Sequence, residues 1–216
     1  MERACRQLGY TNAGTFEFLL GPDGAPSFIE VNCRLQVEHP VTELVTGIDL
    51  VEWQLRIAAG EHIPFPAEIE PRGWAIECRI NGEDPYANFA PSVGLVDFVE
   101  FSSGPGVRFD SMLYSGLDVP VFYDSLLGKL IVWAETRDLA IRRMRRALND
   151  LVIAGVDTNI PFHLALFDND DWQAGRIHTG WLESAFTMPA AEDDPTDAQP
   201  ADKESAAGDQ PVSPPA

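Results

Sequence analysis

Polar and apolar residues alternate along residues 28–40, which read F-I-E-V-N-C-R-L-Q-V-E-H-P. Such alternation predicts a strand with one exposed and one buried face. If the chain stays extended, one face carries Glu30, Asn32, Arg34, Gln36 and Glu38, and the other carries Ile29, Val31, Cys33, Leu35 and Val37. Two carboxylates, two amides and a guanidinium in single file are an unusual set for a solvated face. We therefore predict a functional site on this strand.

Residues 14–20 also alternate, and residues 21–26 (G-P-D-G-A-P) are typical of a turn, so the two strands are predicted to form a hairpin. If Leu20 pairs with Ser27, Phe18 lies opposite Ile29 and Glu17 lies opposite Glu30. Like charges facing each other across a ladder are destabilising unless a cation lies between them. Two carboxylates with an amide nearby suit Mg²⁺ or Mn²⁺ completed by phosphates. A solvated hairpin with a register different by one or two residues is the alternative reading.

The rest of the pattern predicts short helices and strands of an α+β fold. Helices are predicted over residues 1–8, over 50–59 with Asp49 as the cap, over 137–153, and from a cap at Asp157 or Thr158 through Phe167. Strands are predicted over residues 74–80, 95–101, 107–109 and 126–134.

Composition limits the functional classes. A net charge of −19 argues against nucleic-acid binding. Three cysteines, no signal peptide and no apolar run of transmembrane length predict a cytoplasmic protein that does not associate with a membrane. Residues 187–216 contain seven acids, one lysine and many Pro and Ala residues, which predicts a disordered acidic tail.

The run V-N-C-R-L-Q-V-E-H-P resembles the end of the ATP-grasp domain of biotin carboxylases, the ATP-dependent subunit or domain of acetyl-, propionyl- and pyruvate-type carboxylases. The resemblance extends over about residues 1–186. It is carried by residues 28–43, 47–50, 54–60, 77–81, 83–85, 106–108, 123–125 and 128–131. Cys33 and Gly82 depart from the usual residues of the family, at positions where no chemistry is expected.

The resemblance implies ATP- and bicarbonate-dependent carboxylation of biotin, with Mg²⁺ or Mn²⁺ as the metal. Glu17, Glu30 and Asn32 match positions that bind the metal ions bridging the ATP phosphates. Such enzymes make carboxyphosphate from bicarbonate and ATP and then carboxylate biotin. Metal ions and positive charge around the phosphates are what phosphoryl transfer requires.

The resemblance also implies roles for the residues that act on bicarbonate and biotin. Glu38 matches the base that deprotonates bicarbonate. Arg34, Gln36 and the Val37 backbone match the groups that hold this planar anion, for which a guanidinium fork is a better partner than a lysine. Arg108 matches the residue that steadies the anionic ureido oxygen of biotin.

The family comparison predicts three segments: the C-terminal end of an ATP-grasp domain with a linker over residues 1–66, the biotin carboxylase C-terminal domain over 67–186, and the tail over 187–216. The nucleotide-gripping parts of such enzymes do not match any residues of this chain, whose only lysines are Lys129 and Lys203. The isolated chain is therefore expected to be inactive. A truncated gene, a misplaced start and a split enzyme remain open explanations.

The resemblance further implies partners. No biotinylation motif occurs in the chain, so biotin is expected on a separate carrier domain or protein. A carboxyltransferase subunit is also expected as a partner, and the chain is expected to form a homodimer. Two other functions stay open: a non-catalytic remnant that acts only in assembly, and another ATP-grasp ligase that activates bicarbonate.

Overall fold

The computed structural model describes residues 1–66 and 68–190, so residues 191–216 of the predicted tail lie outside the described residues. The helices are α1 Glu2–Leu8, α2 His39–Thr46, α3 Leu50–Ala58, α4 Arg137–Asp150, α5 Ile160–Asp168, α6 Asp170–Gln173 and α7 Trp181–Ala185, with a 3-10 turn at Pro85–Ala87. The strands are β1 Thr15–Leu20, β2 Pro26–Asn32, β3 Trp74–Asn81, β4 Glu83–Asp84, β5 Ala90–Pro91, β6 Gly94–Leu95, β7 Phe98–Glu100, β8 Val107–Ser111, β9 Asp118–Val119, β10 Leu126–Ala134 and β11 Val152–Ala154.

Strands β1 and β2 form the predicted hairpin, and Glu17 lies opposite Glu30 as predicted. The route to that pairing differs from the prediction. Leu20 pairs with Pro26 and Phe18 with Phe28, and a bulge between Glu17 and Phe18 then shifts the register by one residue. The predicted pairs Leu20–Ser27 and Phe18–Ile29 are wrong because an extra residue in one strand changes which residues face each other on either side of a bulge.

The extended chain ends at Asn32, and the predicted continuation of the strand through Glu38 is wrong. Glu38 is the N-cap residue of α2, which has Pro40 in its first turn and ends at Gly47 with a φ of 74°. Proline suits the first helical turn because its missing N–H is not needed there, and glycine suits a left-handed C-terminal position. The turn at residues 33–38 therefore replaces a strand and redirects the polar side chains.

The main sheet has the order β3-β10-β8, with both pairs antiparallel. One face of this sheet packs on α4 and α5 and forms the core. The buried members of this core are Cys78, Ile80, Leu130, Val132, Ala134, Ala140, Ile141, Met144, Ala147, Leu148, Leu151 and Phe167. Burial of these apolar side chains is the main stabilising contribution to this part of the fold.

The opposite face of the main sheet packs against α2 and is charged. Its register places Arg79 beside Lys129 and Asp110 beside Lys129, and it places Glu77 and Arg108 on either side of Ile131. We call these five charged residues (Glu77, Arg79, Arg108, Asp110 and Lys129) the charged layer. It is the surface that brings the sheet into contact with the start of α2.

Several predicted boundaries need correction. The helix predicted over 137–153 ends at Asp150, because Val152–Ala154 forms β11 and pairs with β7. The strand predicted over 95–101 is two short strands, β6 and β7. The cap of α5 is Asn159 rather than Asp157 or Thr158. The Asp49 cap of α3 is confirmed, since its side chain accepts a hydrogen bond from the Glu52 N–H.

Within the described residues, no helix is both long enough and apolar enough to cross a membrane.

Candidate active site

The two facing carboxylates of the hairpin are brought together by an amide. Asn32 Nδ2 donates to Glu17 Oε1 at 2.7 Å and to Glu30 Oε1 at 3.0 Å. One donor between two carboxylates reduces the repulsion that the ladder pairing creates. The three side chains predicted as metal ligands therefore lie at one point.

Arg34 and Gln36 are also connected to these three side chains by hydrogen bonds, although both residues lie beyond the end of β2. Arg34 Nη1 donates to Gln36 Oε1 at 2.8 Å, and Gln36 Nε2 donates to Glu17 Oε1 at 3.4 Å. Arg34 Nη2 also lies 3.5 Å from Asn32 Oδ1. We call Glu17, Glu30, Asn32, Arg34 and Gln36 the acid–amide cluster.

The donor set of the cluster fits a hard cation. Among residues 1–66 and 68–190, no group of three or more His, Cys, Asp or Glu side chains is arranged to hold a metal ion. Glu17 and Glu30 provide two carboxylates, and the Asn32 amide would provide an oxygen after a half-turn of its end group, because its nitrogen faces the carboxylates in this arrangement. Mg²⁺ prefers such oxygen ligands and is commonly held by one or two carboxylates plus substrate phosphates. The cluster fits a metal shared with a nucleotide better than a metal held by protein alone.

Glu38 pairs with an arginine to which the sequence argument assigned no role. Arg79 Nη2 donates to Glu38 Oε2 at 2.9 Å, across 41 residues of sequence. The Arg79 backbone is itself held in place, because its carbonyl accepts a hydrogen bond from Asn159 Nδ2 at 3.1 Å and lies 2.9 Å from His163 Nε2. Both members of the pair are about half exposed, at 54% for Arg79 and 50% for Glu38, so both are open to a substrate.

Arg108 has a different environment. Its guanidinium donates to both Asp110 carboxylate oxygens, at 2.8 and 2.7 Å, and to Glu43 Oε2 at 2.6 Å. The hydrogen bond to Asp110 raises the pKa of Arg108, against a lowering by burial, and the bond to Glu43 raises it further. Burial raises the pKa of Asp110, but the Arg108 hydrogen bonds and the Arg108 and Lys129 charges bring it below its usual value. Arg108 is a permanently charged side chain engaged by two carboxylates.

The backbone between Gln36 and His39 is held from two sides. Lys129 Nζ, from β10, donates to the Val37 carbonyl at 3.0 Å. His39 Nδ1 lies 2.8 Å from the Gln36 carbonyl, which gives this histidine a structural contact within the turn. The candidate base Glu38 is therefore carried on a turn that is tied to the main sheet.

Two cavities open on either side of this turn. One of about 410 Å³ is lined by Arg34, Gln36 and Glu38, together with residues of the hairpin and α2. The other, of about 760 Å³, is lined by Val37 and Arg79 together with residues of the segments 112–127 and 81–83. Glu38 lines the smaller cavity and Arg79 lines the larger one, so this ion pair lies between the two. The acid–amide cluster contacts the smaller cavity through Arg34 and Gln36.

The structure brings most of the sequence-predicted residues together. Arg34, Gln36 and Glu38 line one cavity, and Glu17, Glu30 and Asn32 adjoin it through hydrogen bonds. Arg108 is not bonded to this group. Sequence reasoning assigned no role to Arg79, Glu43, Asp110, Lys129 or Glu77. Two of them, Glu77 and Arg79, lie in the motif E-C-R-I-N of residues 77–81. This motif was the sequence signal that could have pointed to them.

Comparison with known proteins identifies the family. Residues 77–184, half of the 216-residue chain, match the family model of the biotin carboxylase C-terminal domain. The chain belongs to the biotin carboxylase family. Residues 2–65 match the ATP-binding domain of the carbamoyl-phosphate synthase L chain.

Curated biotin carboxylases and related subunits are similar to this chain over most of its length. A pyruvate carboxylase subunit of Methanothermobacter thermautotrophicus is 48% identical over 182 residues, which cover 84% of this chain and 37% of the relative. The biotin carboxylase of Haemophilus influenzae is 50% identical over 186 residues, which cover 86% of this chain and 41% of the relative. The chain thus spans about two fifths of the length of these biotin carboxylase relatives.

Solved structures agree with this family. The biotin carboxylase domain dimer of the Hydrogenobacter thermophilus 2-oxoglutarate carboxylase, in complex with MgADP, ADP and bicarbonate, superposes with a TM-score of 0.82 at 45% identity. The match covers 84% of this chain and 40% of that one. The biotin carboxylase subunit of a pyruvate carboxylase gives the same TM-score at 47% identity, covering 84% of this chain and 40% of that one. The mixed helix-and-strand fold is that of biotin carboxylase domains.

Proposed function

We propose that this chain forms the metal- and bicarbonate-binding part of a biotin carboxylase, which carboxylates carrier-bound biotin at the expense of ATP. The observation that carries the proposal is that Arg34 and Gln36, two members of the acid–amide cluster, line one cavity together with Glu38. The family of the chain and its similarity to a domain solved with MgADP and bicarbonate support the same function. The matched relatives include pyruvate and 2-oxoglutarate carboxylase subunits, so the final acyl acceptor is not part of the proposal.

The acid–amide cluster is proposed to hold the metal–nucleotide complex. Glu17 and Glu30 supply the negative charge and Asn32 supplies a neutral oxygen. Mg²⁺, when bound, neutralises charge on the phosphates during phosphoryl transfer. The Asn32 amide bridges the two carboxylates, which keeps both carboxylates directed at the same point.

Glu38 is proposed as the base that takes the proton of bicarbonate, with Arg34, Gln36 and the Val37 backbone holding the anion. Arg34 and Gln36 line the 410 Å³ cavity with Glu38. A base must lie within hydrogen-bond reach of the proton it removes, and a carboxylate in an open cavity can meet that requirement. The guanidinium offers the anion a planar pair of donors.

Two arginines are candidates for the residue that steadies the ureido oxygen of biotin. The resemblance assigns this role to Arg108, and the contacts favour Arg79. Every Arg108 nitrogen is already bonded to Asp110 or Glu43, and its side chain is 36% exposed. Arg79 is more exposed, makes one bond to Glu38, and lines the 760 Å³ cavity. We propose Arg79 as the stronger candidate and keep Arg108 as its competitor.

Further expectations follow from the relatives and remain proposals. The proposed segments are an ATP-grasp end over residues 1–66 and a C-terminal domain over 67–186. The proposed partners are a second copy of the chain, a biotin carboxyl carrier domain or protein, and a carboxyltransferase subunit. A related domain has been solved as a dimer, which supports the first of these partners.

The proposed function is tested by completing the enzyme. The full chain is combined or fused with the portion of the Haemophilus influenzae relative that it does not match, and we call the product the assembled enzyme. We expect bicarbonate-dependent ATP cleavage with carboxylation of free biotin, measured by phosphate release and by incorporation of labelled bicarbonate. The isolated chain is expected to show neither.

The outcome separates the competing functions. ATP cleavage that depends on bicarbonate but yields no carboxybiotin would indicate another bicarbonate-activating ligase. A stable assembly without any ATP cleavage would indicate a chain that acts only in assembly. Turnover by the isolated chain would overturn the proposal that the unmatched portion is needed.

Replacing Glu30 tests the metal role. In the assembled enzyme, Glu30→Gln is expected to raise the Mg²⁺ concentration needed for half-maximal ATP cleavage and to lower the rate, because one ligand charge is lost while the side chain keeps its shape. Circular dichroism checks that the fold is unchanged. Asp23→Asn, in the turn between β1 and β2, is the matched control on the same hairpin. An unchanged Mg²⁺ dependence would make Glu30 an ordinary surface acid.

A further inference from the structure

The charged layer contains one acid that the proposed chemistry does not use. Both carboxylate oxygens of Glu77 are buried, and neither has a hydrogen-bond partner among the described residues. An ionised carboxylate without partners is costly to bury, and such groups are usually kept neutral. An unsatisfied buried acid is a feature that calls for a functional reason.

Several charged residues surround Glu77 in the charged layer and on α2. Register places Ile131 directly beside it in the sheet and Lys129 diagonally across from it. Diagonal neighbours in a ladder are about 7–8 Å apart, within reach of long side chains. The charged and titratable groups that face Glu77 from its own strand, from β10, from β8 and from α2 with its cap are Arg79, Lys129, Arg108, Asp110, Glu38, His39 and Glu43.

Lys129 is the natural cation for Glu77, but its ammonium is bonded elsewhere. It donates to the Val37 carbonyl at 3.0 Å and lies 3.9 Å from Asp110 Oδ2, with a side chain only 13% exposed. It is also the one lysine among residues 1–190. The bond to Val37 joins β10 to the turn that carries Glu38, across 92 residues of sequence.

We propose that Lys129 is a positioning residue for the Val37–Glu38 turn and that Glu77 controls it through its own charge. When Glu77 is a neutral acid, the ammonium stays on the Val37 carbonyl and the turn is fixed. When Glu77 loses its proton to solvent, the new carboxylate attracts the ammonium away from Val37 and the turn loosens. The effect on catalysis rests on the proposed function, whereas the effect on the turn does not.

The pKa of Glu77 lies where this change would matter. Burial raises the pKa to about 7; Lys129 and Arg79 lower it, while Glu38 and Asp110 raise it. A raised pKa means that the folded chain holds this proton more tightly than the unfolded chain. Between the ordinary pKa of 4.5 and about 7, rising pH therefore lowers the free energy of unfolding. Glu77→Gln, which mimics the neutral acid, should remove that part of the pH dependence.

The turn can be observed directly in the full-length chain. The amides of His39 and Val41 donate to the carbonyls of Gln36 and Glu38, so their hydrogen exchange reports on the turn. We expect their protection, corrected for the intrinsic rate, to fall by about tenfold or more between pH 6 and pH 8.5, because a bond to a charged group is lost. The Glu77 carboxyl carbon, followed by NMR, should titrate over the same range.

Three variants test the mechanism of this loosening. Glu77→Gln should keep the turn protected up to pH 8.5. Lys129→Met should lose protection already at pH 6, and Lys129→Arg should restore most of it, because a guanidinium can also reach the carbonyl. Glu100→Gln, at an exposed position on β7, is the matched control and should behave like the parent chain.

The outcomes are decisive for this proposal. If Glu77→Gln keeps the parent pH dependence, or if Lys129→Met leaves the turn protected, the proposal is wrong. If Lys129→Met does not fold, the comparison of Glu77→Gln with Lys129→Arg still tests it.

Activity of the assembled enzyme separates this proposal from the proposed function. If the protection of the turn depends on pH as expected but the assembled enzyme has no carboxylase activity, the proposed function is wrong and the proposal for Glu77 and Lys129 still holds. In an active enzyme, Glu77→Gln should flatten the decline of kcat above pH 7 with little change in the KM for ATP. A parent-like decline in that variant would oppose the proposal.

Discussion

Glu38→Gln is expected to lower bicarbonate-dependent ATP cleavage and carboxybiotin formation together in the assembled enzyme, by on the order of 10²–10⁴. Glutamine keeps the shape of the side chain and cannot accept a proton in the same way. Because bicarbonate must lose its proton before carboxyphosphate forms, both products should fall by the same factor. The KM for ATP should change little, since Glu38 is not bonded to the acid–amide cluster.

The control for this experiment is Glu100→Gln, which removes an equal charge at an exposed position on another sheet. Phosphate release and labelled carboxybiotin are measured in parallel at saturating bicarbonate. If Glu38→Gln retains parent rates while Glu30→Gln does not, the base is another residue. If both variants retain them, the whole site assignment is wrong.

Arg79→Ala is expected to lower carboxybiotin formed per ATP cleaved by on the order of 10²–10³, the usual loss when one stabiliser of a developing oxyanion is removed. The charge on the ureido oxygen develops only during carboxyl transfer, so ATP cleavage should fall less. Arg79→Lys tests geometry against charge: an ammonium keeps the charge and loses the planar fork, and should recover only part of the ratio.

Arg108→Ala is expected to act differently. It leaves Glu43, which is only 10% exposed, without its cation and leaves Asp110 with Lys129 alone at 3.9 Å, so the thermal stability of the chain should fall. The ratio of carboxybiotin to ATP cleaved should stay near that of the parent. If Arg108→Ala lowers this ratio and Arg79→Ala does not, Arg108 is the biotin-side residue, as the resemblance alone implies.

Several elements were predicted correctly because neighbouring residues decide them. The Asp49 side chain caps α3, and the apolar run 126–134 forms β10 with the predicted bounds. Helix α2 was not predicted. Its β-branched residues Val41, Thr42, Val45 and Thr46 have weak helix propensity, and its cap residue Glu38 makes no side-chain capping bond. In the structure this helix packs against β3 and β10, and such tertiary packing outweighs weak local propensity.

The chemical identity of the site follows from local sequence. Alternation put Glu30 and Asn32 on one face of β2, because side chains two residues apart share a face of a strand. The pairing of Glu17 with Glu30 depends in addition on the bulge, which the alternation did not predict. Which partners the other charged side chains bind depends instead on tertiary packing. The contacts Arg79–Glu38, Arg108–Glu43 and Lys129–Val37 span 41, 65 and 92 residues. They exist because one face of the main sheet packs against α2, and no local pattern encodes that packing.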